Sequence, residues 1–522
     1  MSETGIKTVK NFMASNSYTA NPLTTLKMVA ASSIFGEPSY YIGNEKTRIT
    51  NLVDFLANPN LLFFKELNIN TTEEIMETAI DRALEHDFAA TIEYAKELRN
   101  EFNMRLNPQI IFVRAAIHPK RVEFNTKHPG LMREVGKAII NRPDDMKNQL
   151  DYYISQNGSK HNLPGLIKRV WTDKLVGLSE YQTAKYKSKG LIDLARVANT
   201  RKVRIKNKAI NTLMETGNFA VSEENQTWEK LKSEGKTWTE ILNTIRLPHM
   251  ALLRNLRNIE QEIKDVKTLE NVAEWLVAGV ERGRQFPFRY YTASQHVTSA
   301  TFTNALHTCM TEAMKNFPVL KGKTMSLSDN SGSAWGALNS EYGQVTVAEI
   351  GNLSSVMTAI NSDEGHVGVF GDKLIDVEMK GDEVLDGLKA VNRKGKNVGG
   401  STETGIWLFW DKAIKNNEHW DNVFIYSDQQ AGHGGLYGTN ENEYKDFAVG
   451  GAYGGRYIDV MALVNKYREN VNPNVNVFSI QTAGYDNAVL PETAYRTAIL
   501  SGWTGKETLY AKEMIDLWNS QY

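Results

Sequence analysis

The chain has 522 residues, too many for one ordinary hydrophobic core, so two or three domains are expected. Its hydrophobic fraction of 41%, charged fraction of 23% and formal net charge of −1 exclude a disordered chain, a collagen and an overall polycation. Any nucleic-acid binding must therefore come from a local basic surface.

Helical patterns fill the chain from about residue 20 to residue 315. Thr71 and Glu74 predict the start of one helix with a capping box, and apolar residues within 88–102 recur on one face of the next. A later helix is expected to follow Thr268, with apolar residues at helical spacing within 269–280. Such paired amphipathic helices predict a HEAT-like repeat domain, in which each pair buries its apolar face against the next pair.

The pattern changes near residue 320, where short β-rich runs alternate with helices. This alternation is typical of an α/β doubly wound sheet. We therefore predict a helical-repeat domain over residues 1–320 and an α/β domain over residues 321–522. The predicted strands are Thr324–Asp329, His366–Phe370, Asn422–Asp428 and Asn474–Gln481, and the predicted helices between them include Val347–Ile360 and Thr404–Ile414.

Two of the predicted strands end in aspartate, Asp329 and Asp428. Asp329 opens the run Asp-Asn-Ser-Gly-Ser with Ser331 and Ser333, and Thr402 follows a Gly-Gly-Ser turn between the two strands. Sites in open α/β sheets form outside the carboxyl ends of the strands, and hydroxyl and carboxylate oxygens are the ligands of a hard cation. We predict a site for Mg²⁺, or for Mn²⁺ or Ca²⁺, at these five residues. The alternative is that residues 329–333 form only a polar turn.

This set resembles the metal-ion-dependent adhesion site of von Willebrand A-type domains, whose first motif is Asp-x-Ser-x-Ser. The resemblance implies that Asp329, Ser331, Ser333, Thr402 and Asp428 hold the ion. Because few carboxylates bind the ion directly, it stays electrophilic, and an acidic residue of a protein partner is expected to complete its coordination.

Segments of the helical half resemble the TROVE module of the Ro autoantigen family. They are residues 21–41, residues 186–194 and the run Leu-Pro-His-Met-Ala-Leu-Leu-Arg-Asn-Leu at residues 247–256. A helical module followed by an A-type domain is also the order of that family. The resemblance implies that the repeats close into a ring that binds single-stranded ends of misfolded RNA, small Y-like RNA, or both, as part of a ribonucleoprotein. Lys189 falls where the family has an RNA-contacting lysine, and Asp193 stands where the family tends to have a basic residue.

A basic segment in the same region is the best candidate for contact with RNA, because each phosphate that it neutralises releases counterions. Its alternative interpretation is a set of solvated helix faces. The predicted RNA-binding residues are Lys185, Lys187, Lys189, Arg196, Arg201, Lys202 and Arg204.

Two other functions stay open at this point. A scaffold subunit of a larger particle, such as a virion, would keep this architecture and use its metal site for protein contacts with little or no RNA binding. A metal-dependent hydrolase is less well supported, because the predicted site has no general base and no second metal position. We therefore expect no enzymatic activity.

Location is predicted from what the sequence lacks. Residues 1–17 have no apolar core of the kind found in signal peptides, and no run of about 18 apolar residues predicts a membrane span. Cys309 is the single cysteine, so no disulfide within the chain is possible. We expect a cytoplasmic protein, with a component of an extracellular or viral particle as the alternative.

Overall fold

The computed structural model of the chain describes most of the residues of both predicted domains. The described residues are 8–10, 16–18, 22–31, 72–102, 104–222, 226–336, 345–379, 383–400, 405–427, 442–450, 456–482, 495–501 and 507–519. A short antiparallel pair, β1 (Thr8–Lys10) and β2 (Asn16–Tyr18), precedes the first helix, α1 (Pro22–Ala31).

Helices then follow one another as far as residue 314, and we call the part from α1 to the last of these helices the helical domain. After α1 these helices are α2 (Thr72–His86), α3 (Phe88–Asn100), α4 (Asn107–Ile117), α5 (Arg121–Lys127), α6 (Leu131–Ile139), α7 (Pro143–Asn157), α8 (Gly165–Val176), α9 (Glu180–Tyr186), α10 (Leu191–Val197), α11 (Thr200–Lys206), α12 (Lys208–Thr216), α13 (Trp228–Ser233), α14 (Trp238–Thr244), α15 (His249–Glu262), α16 (Val266–Ala278), α17 (Val280–Gly283), α18 (Pro287–Ser294) and α19 (Ala300–Met314).

Many of these helices begin after a short polar side chain, which accepts a hydrogen bond from a free backbone N–H group of the first turn. Asp87 accepts from Ala90 N at 2.9 Å and so begins α3. The predicted helix after Thr268 begins earlier than expected, at Val266. Asp265 caps it by accepting from the Thr268 N–H at 2.9 Å, so Thr268 lies in the first turn. Thr71 lies outside the described residues.

Late helices of the array touch an early one. Arg284, which follows α17, donates from Nη1 to the carbonyl oxygen of Asn100 at the end of α3, at 3.1 Å. These two residues are 184 positions apart, so late and early helices of the array are in contact. This contact agrees with the expected ring-shaped arrangement of helical repeats.

The second half is built on a six-stranded sheet, and we call the part from β3 onward the sheet domain. Its further elements are β3 (Leu320–Asp329), α20 (Gly332–Gly336), α21 (Val347–Ile360), β4 (Ser362–Phe370), β5 (Leu374–Val377), α22 (Val384–Gly395), α23 (Gly405–Lys415), β6 (Asn422–Ser427), β7 (Ala448–Gly450), β8 (Arg456–Ile458), α24 (Val460–Asn470), β9 (Asn476–Gln481), β10 (Thr497–Ser501) and α25 (Glu507–Asn519).

The strand order is β10-β9-β6-β3-β4-β5, and only the β4–β5 pair is antiparallel within this sheet. Helices α21 and α22 pack on one face, and α23 and α24 pack on the other. The predicted α/β doubly wound class is therefore confirmed. β3 lies in the middle of the sheet, and its carboxyl end meets that of β6, because Ser328 pairs with Tyr426.

Two hydrophobic clusters extend across both domains. One joins helical-domain residues such as Trp171 to Phe478 and Trp518 of the sheet domain, and the other joins Leu306 of α19 to Val356 of α21. Burial of this apolar surface is the main force that holds the domains together. In the described part of the chain, no helix is long and apolar enough to cross a membrane.

Candidate metal centre and basic surface

Asp329 is the last residue of β3, and its carboxylate is held in place from two sides. The residue is 2% exposed. Its Oδ1 accepts the Ser331 N–H at 2.9 Å, and its Oδ2 accepts the hydroxyl of Ser427, the last residue of β6, at 2.7 Å. The carboxylate therefore lies where the two central strands end, which is where a ligand binds in this class of sheet.

The two serines of the Asp-x-Ser-x-Ser run lie next to this carboxylate. Ser331 Oγ and Ser333 Oγ are 3.1 Å apart. The Gly332 N–H between them donates to the Gly400 carbonyl oxygen at 2.9 Å, which brings the Gly-Gly turn at residues 399–400 against the run. Thr402 and Asp428 lie outside the described residues, two positions after Gly400 and one position after Ser427.

The donor set fits a hard divalent cation. A buried carboxylate and two close hydroxyls bring three oxygens of the kind that Mg²⁺ prefers to one strand end. No three His, Cys, Asp or Glu side chains of the described residues form a metal-binding group. The predicted site has only two carboxylates, and Asp428 is not among the described residues.

Beneath the site lies a buried amide network that the sequence did not reveal. Asn352 of α21 is 0% exposed. Its Oδ1 accepts from Ser328 Oγ at 2.7 Å and from Asn330 Nδ2 at 2.8 Å, and its Nδ2 donates to Asn330 Oδ1 at 2.9 Å and to Asn392 Oδ1 at 2.7 Å. Asn352 thus ties the strand end, the metal-site run and α22 together, because buried amides need partners on both their oxygen and their nitrogen.

The predicted RNA-binding residues all lie on the surface of neighbouring helices in the helical domain. Lys185 is in α9, Lys187 and Lys189 follow it, and Arg196 is in α10. Arg201, Lys202 and Arg204 are in α11, and all seven side chains are exposed. We call these seven residues the basic surface.

Several members of the basic surface already have acidic partners. Arg196 lies 3.8 Å from Asp193, Lys202 lies 3.5 Å from Asp173, and Arg204 donates to Glu215 at 2.6 Å. Two others bond neutral groups, since Lys185 donates to the Tyr181 hydroxyl at 2.9 Å and Lys187 to Asn218.

Within the described residues, Lys189 and Arg201 have no side-chain partner. The surface therefore combines two unpaired cations with others held in exposed ion pairs.

A large cavity, about 1030 Å³, lies where α1, α3 and the late helices meet α25 of the sheet domain. Lys27 of α1 forms an ion pair there with Glu513 of α25. Burial, and then the nearby Glu513 carboxylate, raise the pKa of Glu97 in α3 to about 7. At this junction the Glu513 carboxylate therefore disfavours the charged form of Glu97.

Of two other reactive side chains, Cys309 is buried in the core and His249 is partly buried. Cys309 of α19 is 0% exposed, and burial raises the pKa of its thiol to about 12, so it is not a nucleophile near neutral pH. His249 Nε2 lies 2.7 Å from the hydroxyl of Tyr290, and burial lowers the pKa of this histidine.

The chain is similar to a known domain family in sequence and to a known protein in fold. A family model of the TROVE domain matches residues 222–344. The fold is similar to the crystal structure of the Ro (RSR) protein of Deinococcus radiodurans, with a TM-score of 0.58 and 14% sequence identity, over 83% of this chain and 93% of that chain. Residues 222–344 are thus similar to the TROVE domain, and the chain has the fold of this Ro protein. No curated protein matches the chain.

The match to the TROVE domain confirms the family resemblance that the sequence predicted. Residues 247–256, the most specific of the three quoted segments, lie inside the matched range, and residues 186–194 lie before it. The basic surface therefore lies outside the segment that matches the TROVE domain. The similarity to the Ro protein extends over the sheet domain as well, since it covers most of both chains.

Proposed function

We propose that this protein is a Ro-like component of a ribonucleoprotein, which binds single-stranded ends of misfolded RNA, small Y-like RNA, or both. The observation that carries the proposal is an exposed basic surface on a helical array, part of which matches the TROVE domain. Phosphates supply most of the affinity in such complexes, so a surface of this kind does not require a basic protein overall.

The ion pairs on the basic surface are compatible with binding to phosphates. Exposed pairs such as Lys202 with Asp173 contribute at most about 1 kcal/mol, so their cations can exchange a carboxylate for a phosphate at low cost. Lys189 and Arg201 need no exchange, because they have no acidic partner among the described residues. We expect these two residues to make the first contacts with the RNA backbone.

The test is binding of a fluorescent RNA with a single-stranded 3′ tail at several salt concentrations. Alanine at Lys185, Lys187 and Lys189 should weaken binding. It should also reduce the slope of log K against log salt by about 2, because each contact to single-stranded phosphate contributes about 0.7. The matched control replaces three exposed, ion-paired lysines outside the basic surface with alanine, Lys127, Lys321 and Lys389.

The control should bind as the wild type does. If both triple variants bind tightly and show the same slope of log K against log salt, the RNA does not bind at the basic surface. Absence of binding even at low salt would refute the RNA role.

We also propose that Asp329, Ser331, Ser333, Thr402 and Asp428 hold a divalent cation, which is Mg²⁺, Mn²⁺ or Ca²⁺. An acidic residue of a protein partner then completes its coordination. What supports this is the buried Asp329 carboxylate, which is fixed by Ser331 and Ser427 beside a second hydroxyl. We propose no catalytic step at this ion.

The metal proposal is tested by thermal unfolding with and without Mg²⁺ or Mn²⁺. An ion at 100 times its dissociation constant stabilises the native state by about 2.7 kcal/mol, so the melting temperature should rise in the wild type. Asp329→Asn should abolish this rise. Asp376→Asn is the matched control, because Asp376 is an exposed aspartate of β5 paired with Lys412. An equal rise in all three proteins would refute the site.

A second candidate is a scaffold protein that uses the metal site alone. It is favoured by Asp193, whose carboxylate lies 3.8 Å from Arg196 within the basic surface. Metal-dependent binding of an acidic peptide, together with no binding of RNA at low salt, would select this function over the first.

A further inference from the structure

Two tryptophans begin consecutive short helices in the TROVE-matched region. Trp228 follows Thr227 at the start of α13, and Trp238 follows Thr237 at the start of α14, ten residues later. Each threonine hydroxyl caps its own helix. The two indole rings are stacked, with centroids 5.9 Å apart and planes at 25°.

The two rings differ in exposure. Trp238 is 2% exposed and belongs to the core, where it packs with residues such as Leu256. Trp228 is only partly buried, and it lines an open cavity of about 450 Å³ between α13 and α15. The buried ring thus supports a second ring that is still partly accessible to a ligand.

Polar side chains of α15 form the opposite wall of this cavity. Asn255 donates to the Ala251 carbonyl oxygen at 2.8 Å and accepts from Asn258 Nδ2 at 3.3 Å, so it orients Asn258. Asn258 and Gln261 are exposed and line the same cavity. An amide has both donors and acceptors, which are the groups that read the edge of a nucleobase.

The two charged residues that line the cavity, Lys232 and Glu262, neutralise each other, and two further cations lie on the same helix as the polar wall. The carboxylate of Glu262 is occupied, because it accepts the Trp238 N–H and pairs with Lys232 at 3.1 Å. Arg254 and Arg257 are exposed on the same helix, and neither pairs with an acid in the described part of the chain. A neutral sugar would use the aromatic ring but not these two cations.

The cavity also lies next to the basic surface. Lys185 donates to the Tyr181 hydroxyl, and that hydroxyl in turn lies 3.4 Å from Glu229, the residue after Trp228. One strand could therefore place its phosphates on the basic surface and a base in the cavity.

We propose that a base of single-stranded RNA stacks on Trp228, with its edge hydrogen-bonded by Asn258 and Gln261 and its phosphate near Arg254. This inference rests on the proposed RNA-binding function and adds a base-contacting site to it. Stacking on an aromatic ring is sequence-tolerant, because every base has a π face.

The first experiment compares two RNAs whose single-stranded tails have the same length and the same number of phosphates. One tail carries bases, and the other consists of abasic residues. Loss of one stacked base weakens binding by about 5- to 100-fold. Trp228→Leu should therefore weaken binding of the tail with bases by that factor and leave the abasic tail unchanged. Trp228→Phe should restore most of the loss. Trp275→Leu is the matched control, because Trp275 is a partly buried tryptophan outside this cavity.

The second experiment follows the ring itself. A single-stranded tetranucleotide is added at high salt to protein labelled with 5-fluorotryptophan, and the Trp228 resonance is assigned from the Trp228→Phe variant. A shift of this resonance is expected.

The two experiments separate the possible failures. Binding of tailed RNA that Trp228→Leu does not weaken would overturn the base site and leave the proposed function intact. If tailed RNA does not bind at all, the proposed function fails, and the tetranucleotide decides the site. A shift would then support a base site without the RNA role, and no shift would overturn it.

Discussion

Replacement of Asn352 by alanine should destabilise the sheet domain and weaken metal binding at the proposed site at the same time. The Asn352 side chain makes four hydrogen bonds to three residues under the strand ends. The bonds to Ser328 and Asn330 are buried, and the bond to Asn392 is partly buried. A net contribution of about 0.5–1.5 kcal/mol per bond, together with the cost of buried groups left without partners, predicts a loss of about 3 to 5 kcal/mol in the free energy of unfolding.

The assay is urea denaturation followed by tryptophan fluorescence and near-ultraviolet circular dichroism, with Mn²⁺ affinity measured in parallel. Asn397→Ala serves as the control, since Asn397 follows the end of α22, is exposed, and its side chain bonds only the Arg393 carbonyl oxygen. Its effect should stay within about 0.5 kcal/mol. Mn²⁺ should bind more weakly to Asn352→Ala, because Asn330 lies between Asp329 and Ser331.

If Asn352→Ala lowers the free energy of unfolding by less than about 1 kcal/mol, this reasoning is refuted. The four hydrogen bonds together would then stabilise the protein no more than one ordinary hydrogen bond does. A large loss of stability with unchanged Mn²⁺ affinity would contradict the link between the network and the ion.

Three further predictions concern single residues. Burial lowers the pKa of His249, so the folded state binds fewer protons than the unfolded state, and the free energy of unfolding should fall as pH drops below about 6.5; His249→Gln should flatten this slope in urea denaturation. Glu97 should give the opposite pH dependence of the free energy of unfolding. Its pKa is raised to about 7, so the folded state binds more protons than the unfolded state, and stability is lost as pH rises from about 4.5 through 7. Glu97→Gln should therefore add about 1 kcal/mol at pH 8 and nothing at pH 4, once solvent screening of this partly exposed group is allowed for. Gly395→Ala should destabilise the sheet domain by about 1–3 kcal/mol in the same assay, because its methyl group would overlap Asn330 Oδ1, and an unchanged midpoint would contradict that overlap.

The alternating order of elements was predictable because strands buried on both faces are almost continuously apolar. β6 is an example, with Val423–Tyr426 all buried. The placement of Asp329 at a strand end followed from the same pattern, since polar residues appear where such a run stops. β5 was not predicted, because Leu374–Val377 is short and lies after a turn, at the edge of the sheet.

Features that depend on residues far apart in the sequence could not be predicted from it. Asn352 is 24 positions from Ser328 and 40 from Asn392, and nothing in the local pattern pairs them. The partners of the basic surface were hidden for the same reason, as with Lys202 and Asp173, which are 29 positions apart. The stacked tryptophans had a local signal that could have been used, namely a Thr-Trp pair repeated after ten residues.

The hydrophobic clusters that cross from one domain to the other have a mechanical consequence. The chain passes between the domains once, near residue 320, but the C-terminal helix α25 returns to contact α1 through Glu513 and Lys27. A protease cut near residue 318 would therefore release no free fragment, because the two pieces would stay associated as a heterodimer does. In this respect the contacts between the two domains resemble a subunit interface within one polypeptide.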